Sequence, residues 1–230
     1  MNIPSLHSWD LTPTQAVALQ RELASRIVTN VELTECNLIA GADCSYNRFS
    51  TTMFAGVVVL RADDLTVVER KGAVGEATFP YVPGLLSFRE TPILLQAFAQ
   101  LENRPDVVMY DGQGYAHPRR FGIACHLGLW LGLPCFGCAK SRLVGRFEDP
   151  AAAAGSSSPL LDGEEEIGRV VRSKNKVKPL YISAGHLIDT PSAVRWTLAT
   201  TRKYRLPEPT RMAHLYVNEL RHAAAESPPC

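Results

Sequence analysis

Apolar positions recur at helical spacing just after Thr12-Pro13. Ala16, Leu19, Leu23 and Ile27 share one face, which predicts a helix over residues 13–28. Thr12 offers an N-cap oxygen, and Pro13 stands where a helix needs no N–H. The period then shortens. Residues 38–46 form an apolar stretch broken by one acid, Asp43, and residues 54–60 are rich in β-branched side chains. Residues 65–69 follow Ala62-Asp63-Asp64, a hairpin-turn sequence, and extended chain continues towards Thr78. A helix followed by an antiparallel meander is expected.

Beyond residue 80 the alternation changes again. Thr91-Pro92 reads as a second cap and first turn, with Ile93, Leu94, Ala97, Phe98 and Leu101 on one helical face. Residues 106–110 predict a buried strand ending at Asp111, followed by Gly112 and Gly114. A helix over 121–131 leads to another buried strand, 134–139, ending at Lys140. Strand, helix and strand at this spacing imply a parallel unit. Residues 148–163, with alanines 151–154, Gly155, serines 156–158 and Pro159, read as a flexible surface excursion inside a single domain spanning residues 1–230. Strands at 168–172 and 179–183, helices at 191–204 and 209–221, and a frayed C-terminus complete the expected order.

Composition narrows the class. The 230 residues are 46% hydrophobic and 20% charged, as in soluble globular proteins, which excludes a fibre or a wholly disordered chain. No run approaches the roughly 18 apolar residues of a membrane helix. The N-terminus has neither a basic start nor an apolar run, so a cytoplasmic protein is expected. The net charge of +1 hides an asymmetry. Residues 1–115 carry 8 Lys and Arg against 13 Asp and Glu, while residues 116–230 carry 16 against 10. The second half could therefore face a polyanion, or the two halves could simply present opposite surfaces. Cys135 and Cys138 have a C-x-x-C spacing, but strand alternation sends them to opposite faces, and they read as buried thiols.

Three acids stand in unusual places. Asp43 interrupts an apolar strand, where an unpaired carboxylate is costly to bury. Asp111 ends a buried strand beside glycines, and sites of α/β sheets gather at such ends. Glu90 precedes the expected helix start, where it could be only a helix-start charge. If the strands of Asp43 and Asp111 are neighbours, two carboxylates converge on the oxygen-rich site that Mg²⁺ or Mn²⁺ prefers. His117 and Lys140 should reach the same side. His214 lies in a basic helix and by itself reads as a surface histidine.

Six blocks then carry a resemblance: Gly41-Ala42-Asp43; Pro80-Tyr81-Val82-Pro83-Gly84-Leu85-Leu86-Ser87-Phe88-Arg89-Glu90; Asp111-Gly112-Gln113-Gly114; Ala116-His117-Pro118-Arg119-Arg120; Ala139-Lys140-Ser141-Arg142-Leu143; and Arg205-Leu206-Pro207-Glu208-Pro209-Thr210-Arg211. In this order, over about residues 10–220, the chain resembles the endonuclease V family. The resemblance implies an α/β, ribonuclease H-like fold with a central mixed sheet flanked by helices. It implies a Mg²⁺-dependent endonuclease (Mn²⁺ substituting) that recognises deaminated bases, chiefly inosine, in DNA and in some members RNA. Such enzymes cut the second phosphodiester bond 3′ to the lesion, leaving 3′-hydroxyl and 5′-phosphate ends. Carried over, Asp43 and Asp111 are metal ligands. Glu90 is a third catalytic acid, Lys140 acts at the cut, and His214 lies near the attacking water. Pro80, Tyr81, Val82 and Pro83 form a strand-separating wedge. Gly84, Leu85, Leu86, Gly112, His117 and Ile123 surround the flipped base.

Arg119, Lys174, Lys176 and Lys178 are expected phosphate contacts. Arg169 and Arg172 extend that basic run, for which a solvated edge is the alternative. Gln113 stands where many relatives have histidine, and Cys44 where a small aliphatic residue is common. DNA carrying deaminated bases, inosine-containing RNA as a second candidate, no membrane and a monomeric state complete the expectation. A lesion-binding adaptor without cutting activity and an unrelated metal-dependent phosphodiesterase are the rivals. The retained acids argue against the first and the Tyr81 block against the second.

Overall fold

The computed structural model describes residues 1–48 and 50–226. The expected frayed C-terminus, including Cys230, lies outside the described residues. Among the described residues, eight strands build one mixed sheet: β1 (Leu38–Tyr46), β2 (Thr52–Arg61), β3 (Val67–Glu76), β4 (Val107–Tyr110), β5 (Cys135–Ala139), β6 (Ser157–Asp162), β7 (Glu165–Val171) and β8 (Leu180–His186). Their spatial order is β3-β2-β1-β4-β5-β8-β7-β6. The β1–β2–β3 meander is antiparallel, β1, β4 and β5 run parallel, and β8 and β7 return antiparallel. The helices are α1 (Pro13–Ala24), α2 (Leu86–Ala99), α3 (Ile123–Leu131), α4 (Thr190–Ala199) and α5 (Glu208–Glu226). This is the expected ribonuclease H-like architecture.

Alternation along the strands divides the core in two. Ala40, Ala42, Val108, Tyr110 and Cys135 pack under α2 and α3, while Ile39, Val107, Met109, Phe136 and Cys138 pack under α4 and α5. Cys135 and Cys138 thus face opposite sides, as strand geometry requires. The N-terminal segment covers the α2–α3 layer, where Trp9 stacks on Trp130 with ring centroids 5.0 Å apart.

Three elements differ from the sequence reading. α1 opens with the Thr12 cap, reinforced by a reciprocal bond from Gln15, but stops at Ala24. Ser25 closes it early, its N–H and hydroxyl both turning back to the Glu22 carbonyl. α2 begins at Leu86, not at Thr91. The turn over residues 82–85, with Pro83 and then Gly84 at φ +79°, launches it, and Pro92 is carried inside. Glu90 therefore lies within the helix and fully inside the core. Finally, residues 157–162 of the expected surface excursion form β6, the edge strand paired with β7. Ser158 and Leu160 turn inward while Pro159 between them is exposed, an alternation that the serine- and proline-rich start of the segment concealed.

One glycine fixes how α5 crosses the sheet. A Cβ on Gly41 would sit 1.9 Å from the Pro209 carbonyl oxygen, so β1 and the start of α5 touch backbone to backbone. That contact sets the height of α5 over Asp43. Gly41→Ala should lower stability by about 1–3 kcal/mol, the usual cost of overpacking, in a denaturant titration. An unchanged midpoint would show that α5 can lift without penalty.

Candidate active site

β1 and β4 pair in parallel with Ala42 opposite Tyr110, which places Asp43 and Asp111 one residue further on, side by side. Asp111 N–H still donates to the Ala42 carbonyl at 3.3 Å, tying the two ends together. α5 passes over the pair. His214 Nδ1 lies 2.9 Å from Asp43 Oδ2, and one ligand atom from each of Asp43, Asp111 and His214 falls within 4.8 Å of the others. Lys140, at the end of β5 beside β4, forms an ion pair with Asp111. Arg205 holds that strand end, donating to the carbonyls of Lys140, Lys178 and Pro179.

Burial and like charge raise the carboxyls together. Asp43 is pushed up to about 6, first by burial and then by Asp111, against the pull of His214 and Lys140. Glu90 is raised to about 7 by burial above all, although the Tyr110 hydroxyl donates to its Oε2 at 2.5 Å. Glu90 approaches from the α2 side of the sheet, so it stands behind Tyr110 and outside the Asp43–Asp111–His214 group. Hard carboxylate oxygens that repel each other when bare suit a divalent cation of the Mg²⁺ or Mn²⁺ type. The imidazole of His214 already bonds Asp43 through Nδ1, and its Nε2 lies 3.2 Å from the Asn218 amide nitrogen.

A cavity of about 410 Å³ opens beside the acids. Tyr81, Val82, Pro83, Gly84 and Leu86 line one wall, Gly112, His117 and Ile123 the other, with Asp111 and Lys140 where the cavity meets the acid pair. Tyr81 is 64% exposed, which excludes the alternative of an aromatic packed beneath a loop. Both ends of its loop are held. Arg89 donates to the Phe79 carbonyl at 2.7 Å, and the Gly84 carbonyl accepts from Gln20 Nε2 (3.1 Å), His117 Nε2 (3.0 Å) and Arg119 Nη2 (2.8 Å). Burial and then Arg119 lower His117 to about 4, so the ring is neutral, with Nε2–H aimed at Gly84 and Nδ1 accepting the Arg119 N–H.

Most of the expected site residues meet here, and several change role. Leu85 turns into the core among Ala16, Phe79 and Phe88, 1% exposed, so it backs the pocket without lining it. Pro80 is exposed and outside the cavity wall. Arg119 is tied to the loop, with Nε on Gln20 and Nη2 on Gly84. In the basic run, Arg172 is spent on the carbonyls of Pro150, Ala151 and Val177, and Lys174 donates to the Arg202 carbonyl. Lys176 and Lys178 remain exposed. The sequence reading missed Gln20, Tyr110 and Asn218. Gln20 alone left a signal, a polar residue on the apolar face of α1 four positions after Ala16.

The sequence profile of the family described as Endonuclease V matches residues 21–215. An Endonuclease V of Dehalococcoides mccartyi is 50% identical over 220 residues, covering 96% of this chain and 99% of that protein. The crystal structure of the Endonuclease V of Streptomyces avermitilis superposes with a TM-score of 0.91 at 43% identity, covering 95% of this chain and 96% of that one. The Ciona intestinalis Endonuclease V, solved with a 23mer DNA containing an inosine followed by a ribo-adenosine, superposes at TM-score 0.80 and 25% identity, covering 93% of this chain and 100% of that one.

The raised Asp43 carboxyl has a thermodynamic signature. Folded Asp43 holds its proton up to about pH 6 and unfolded Asp43 only to about 4, so its penalty appears as pH rises between those values. In EDTA, Asp43→Asn should be the more stable protein above pH 6 by on the order of 3 kcal/mol, with no advantage below pH 4. A saturating divalent cation should shrink that advantage by binding the wild type. Parallel stability-against-pH curves for the two proteins would overturn the assignment.

Proposed function

Because the chain belongs to the endonuclease V family, we propose that it is a Mg²⁺-dependent endonuclease of DNA repair. It recognises deaminated bases, chiefly inosine, and hydrolyses the second phosphodiester bond 3′ to the lesion. The reading includes inosine-containing RNA as a second substrate, a monomeric single-domain state, and a cytoplasmic location. No described helix is long and apolar enough to cross a membrane. The observation that carries the reading is the junction of the cavity with the acid pair, where Asp111 and Lys140 belong to both. A base inspected in the cavity brings its own backbone to the carboxylates.

Asp43 and Asp111 would hold the metal, which when bound neutralises phosphate charge and lowers the pKa of a water. Lys140, beside Asp111 at the edge of the cavity, would bind a phosphate oxygen and stabilise charge developing there. His214 donates Nδ1–H to Asp43 while its Nε2 accepts from the Asn218 amide, so the ring orients that carboxylate beside the attacking water, whose proton passes to solvent. The P–O3′ bond breaks as the new P–O bond forms, which leaves a 3′-hydroxyl and a 5′-phosphate. Glu90, bonded by the Tyr110 hydroxyl and close enough to feel the charges of Asp43 and Asp111, is the third acid of the site. Lys176 and Lys178, on the same side as the Lys140 strand end, supply sequence-independent phosphate contacts. A base leaving the duplex costs a few kcal/mol, least at a mismatched pair, and the exposed Tyr81 ring fills the gap.

The direct test is incubation with inosine-containing DNA and RNA strands, with Mg²⁺ or EDTA, and mapping of the ends. Asp111→Asn keeps the side-chain size but removes a charged ligand. Nicking should fall by orders of magnitude while lesion binding survives. Wild-type nicking by this variant in Mg²⁺ would falsify the metal assignment. Tyr81→Ala should weaken binding of an inosine duplex by roughly ten- to a hundred-fold, the worth of one base–aromatic stack. Single strands should suffer less, since only a duplex needs its strands held apart. Equal losses on both substrates would make Tyr81 a general contact and not a wedge.

A further inference from the structure

A chain of hydrogen bonds runs through the α2–α3 layer from the N-terminal segment to the cavity. His7 Nδ1 lies 2.8 Å from the Ser8 carbonyl oxygen, and His7 Nε2 lies 2.7 Å from His126 Nε2 and 3.3 Å from Trp130 Nε1. His126 Nδ1 lies 3.0 Å from Ser87 Oγ. The protons on this chain can be counted. Burial lowers both histidines, His126 far below its ordinary value, so both rings are neutral with one N–H each. A carbonyl only accepts, so His7 carries its proton on Nδ1. Its Nε2 then has a lone pair, which accepts from the indole N–H and from His126 Nε2–H. His126 is left with a lone pair on Nδ1, which takes the one proton of the Ser87 hydroxyl.

Ser87 is 3% exposed and lines the cavity between Leu86 and the α3 wall. With its proton committed to His126, its oxygen can only accept. It also stands in the first turn of α2, a helix with no side-chain cap, so main-chain donors lie beside this acceptor. An acceptor next to N–H donors complements a lactam edge, a ring N–H adjacent to a carbonyl. Deamination makes that edge: adenine presents a bare ring nitrogen beside an amino group, hypoxanthine a ring N–H beside a carbonyl.

We propose that Ser87, locked as an acceptor by His126 and His7, is a specificity-determining residue that takes the ring N–H of a deaminated base and refuses the lone pair of adenine. This rests on the lesion-recognition reading given above. His126 and His7 are positioning residues that act through the Ser87 proton. Guanine shares the same lactam edge, so its exclusion belongs to other contacts.

The test is equilibrium binding in EDTA to single strands bearing one inosine, one adenine or one unsubstituted purine at the same position. The wild type should prefer inosine to both. Ser87→Ala should reduce the inosine-to-adenine preference by about tenfold, the upper end of one neutral hydrogen bond, and Ser87→Thr, which keeps a hydroxyl, should recover most of it. His126→Phe frees the serine proton to turn outward. Inosine affinity should fall while adenine affinity rises, an opposite movement that a packing defect cannot produce. Should His126→Phe show no cooperative melting, the Ala and Thr pair decides. A wild-type preference retained by Ser87→Ala overturns the inference. A wild type without preference for inosine overturns the functional reading instead.

Discussion

Two carboxylates of like charge sit mostly buried at the adjacent ends of parallel strands, and the surrounding structure answers that repulsion. Asp43 and Asp111 cannot both ionise cheaply in such a place, as the upward shift of Asp43 to about 6 records. Three devices hold the arrangement. Lys140 lends a positive charge to Asp111, His214 bonds Asp43 from α5, and the Gly41–Pro209 contact keeps α5 low enough for that bond. Arg205 fixes the Lys140 strand end by three carbonyls. The residual charge is what a divalent cation would meet, so the strain of the bare site and its capacity to bind metal have one origin.

The loop beside the cavity is built with the opposite economy, by being held still. The Gly84 carbonyl accepts three hydrogen bonds and Phe79 is held by Arg89, so the four residues between them have little freedom. Tyr81 can then remain exposed without collapsing onto the surface. His117 and Arg119, which by type suggest contacts to substrate, spend themselves on this support. Rigidity of that kind cuts the ordering cost of binding. Because Asp111 and Lys140 border both the cavity and the acid pair, a base seated against the loop also fixes where its backbone lies.

Much of this was legible in the sequence because local patterns encode it. Strand alternation placed Cys135 and Cys138 on opposite faces, the β4–α3–β5 unit followed from spacing, and an acid inside an apolar strand marked Asp43. Asp111 and Lys140 stood at strand ends, where α/β sheets place their sites. The six ordered blocks identified the family and with it the fold.

Other features depend on partners distant in the chain, and no local pattern records them. Pro92 favoured a helix start at Thr91, but the turn at Gly84 and burial of residues 87–91 carried α2 back to Leu86. Residues 157–162 are the exception, since β6 pairs with β7 across the adjacent turn at 163–164 and only the serine- and proline-rich start concealed the strand. Leu85 faces the core because helix geometry, once α2 starts at Leu86, leaves it no place on the cavity wall. Arg119 is steadied by Gln20, 99 positions away. The sequence by itself determined which residues carry charge, which are apolar and how each segment folds. Only the tertiary structure decided where each proton and lone pair is spent, because hydrogen-bond partners are set by packing between elements that the chain brings together from far apart.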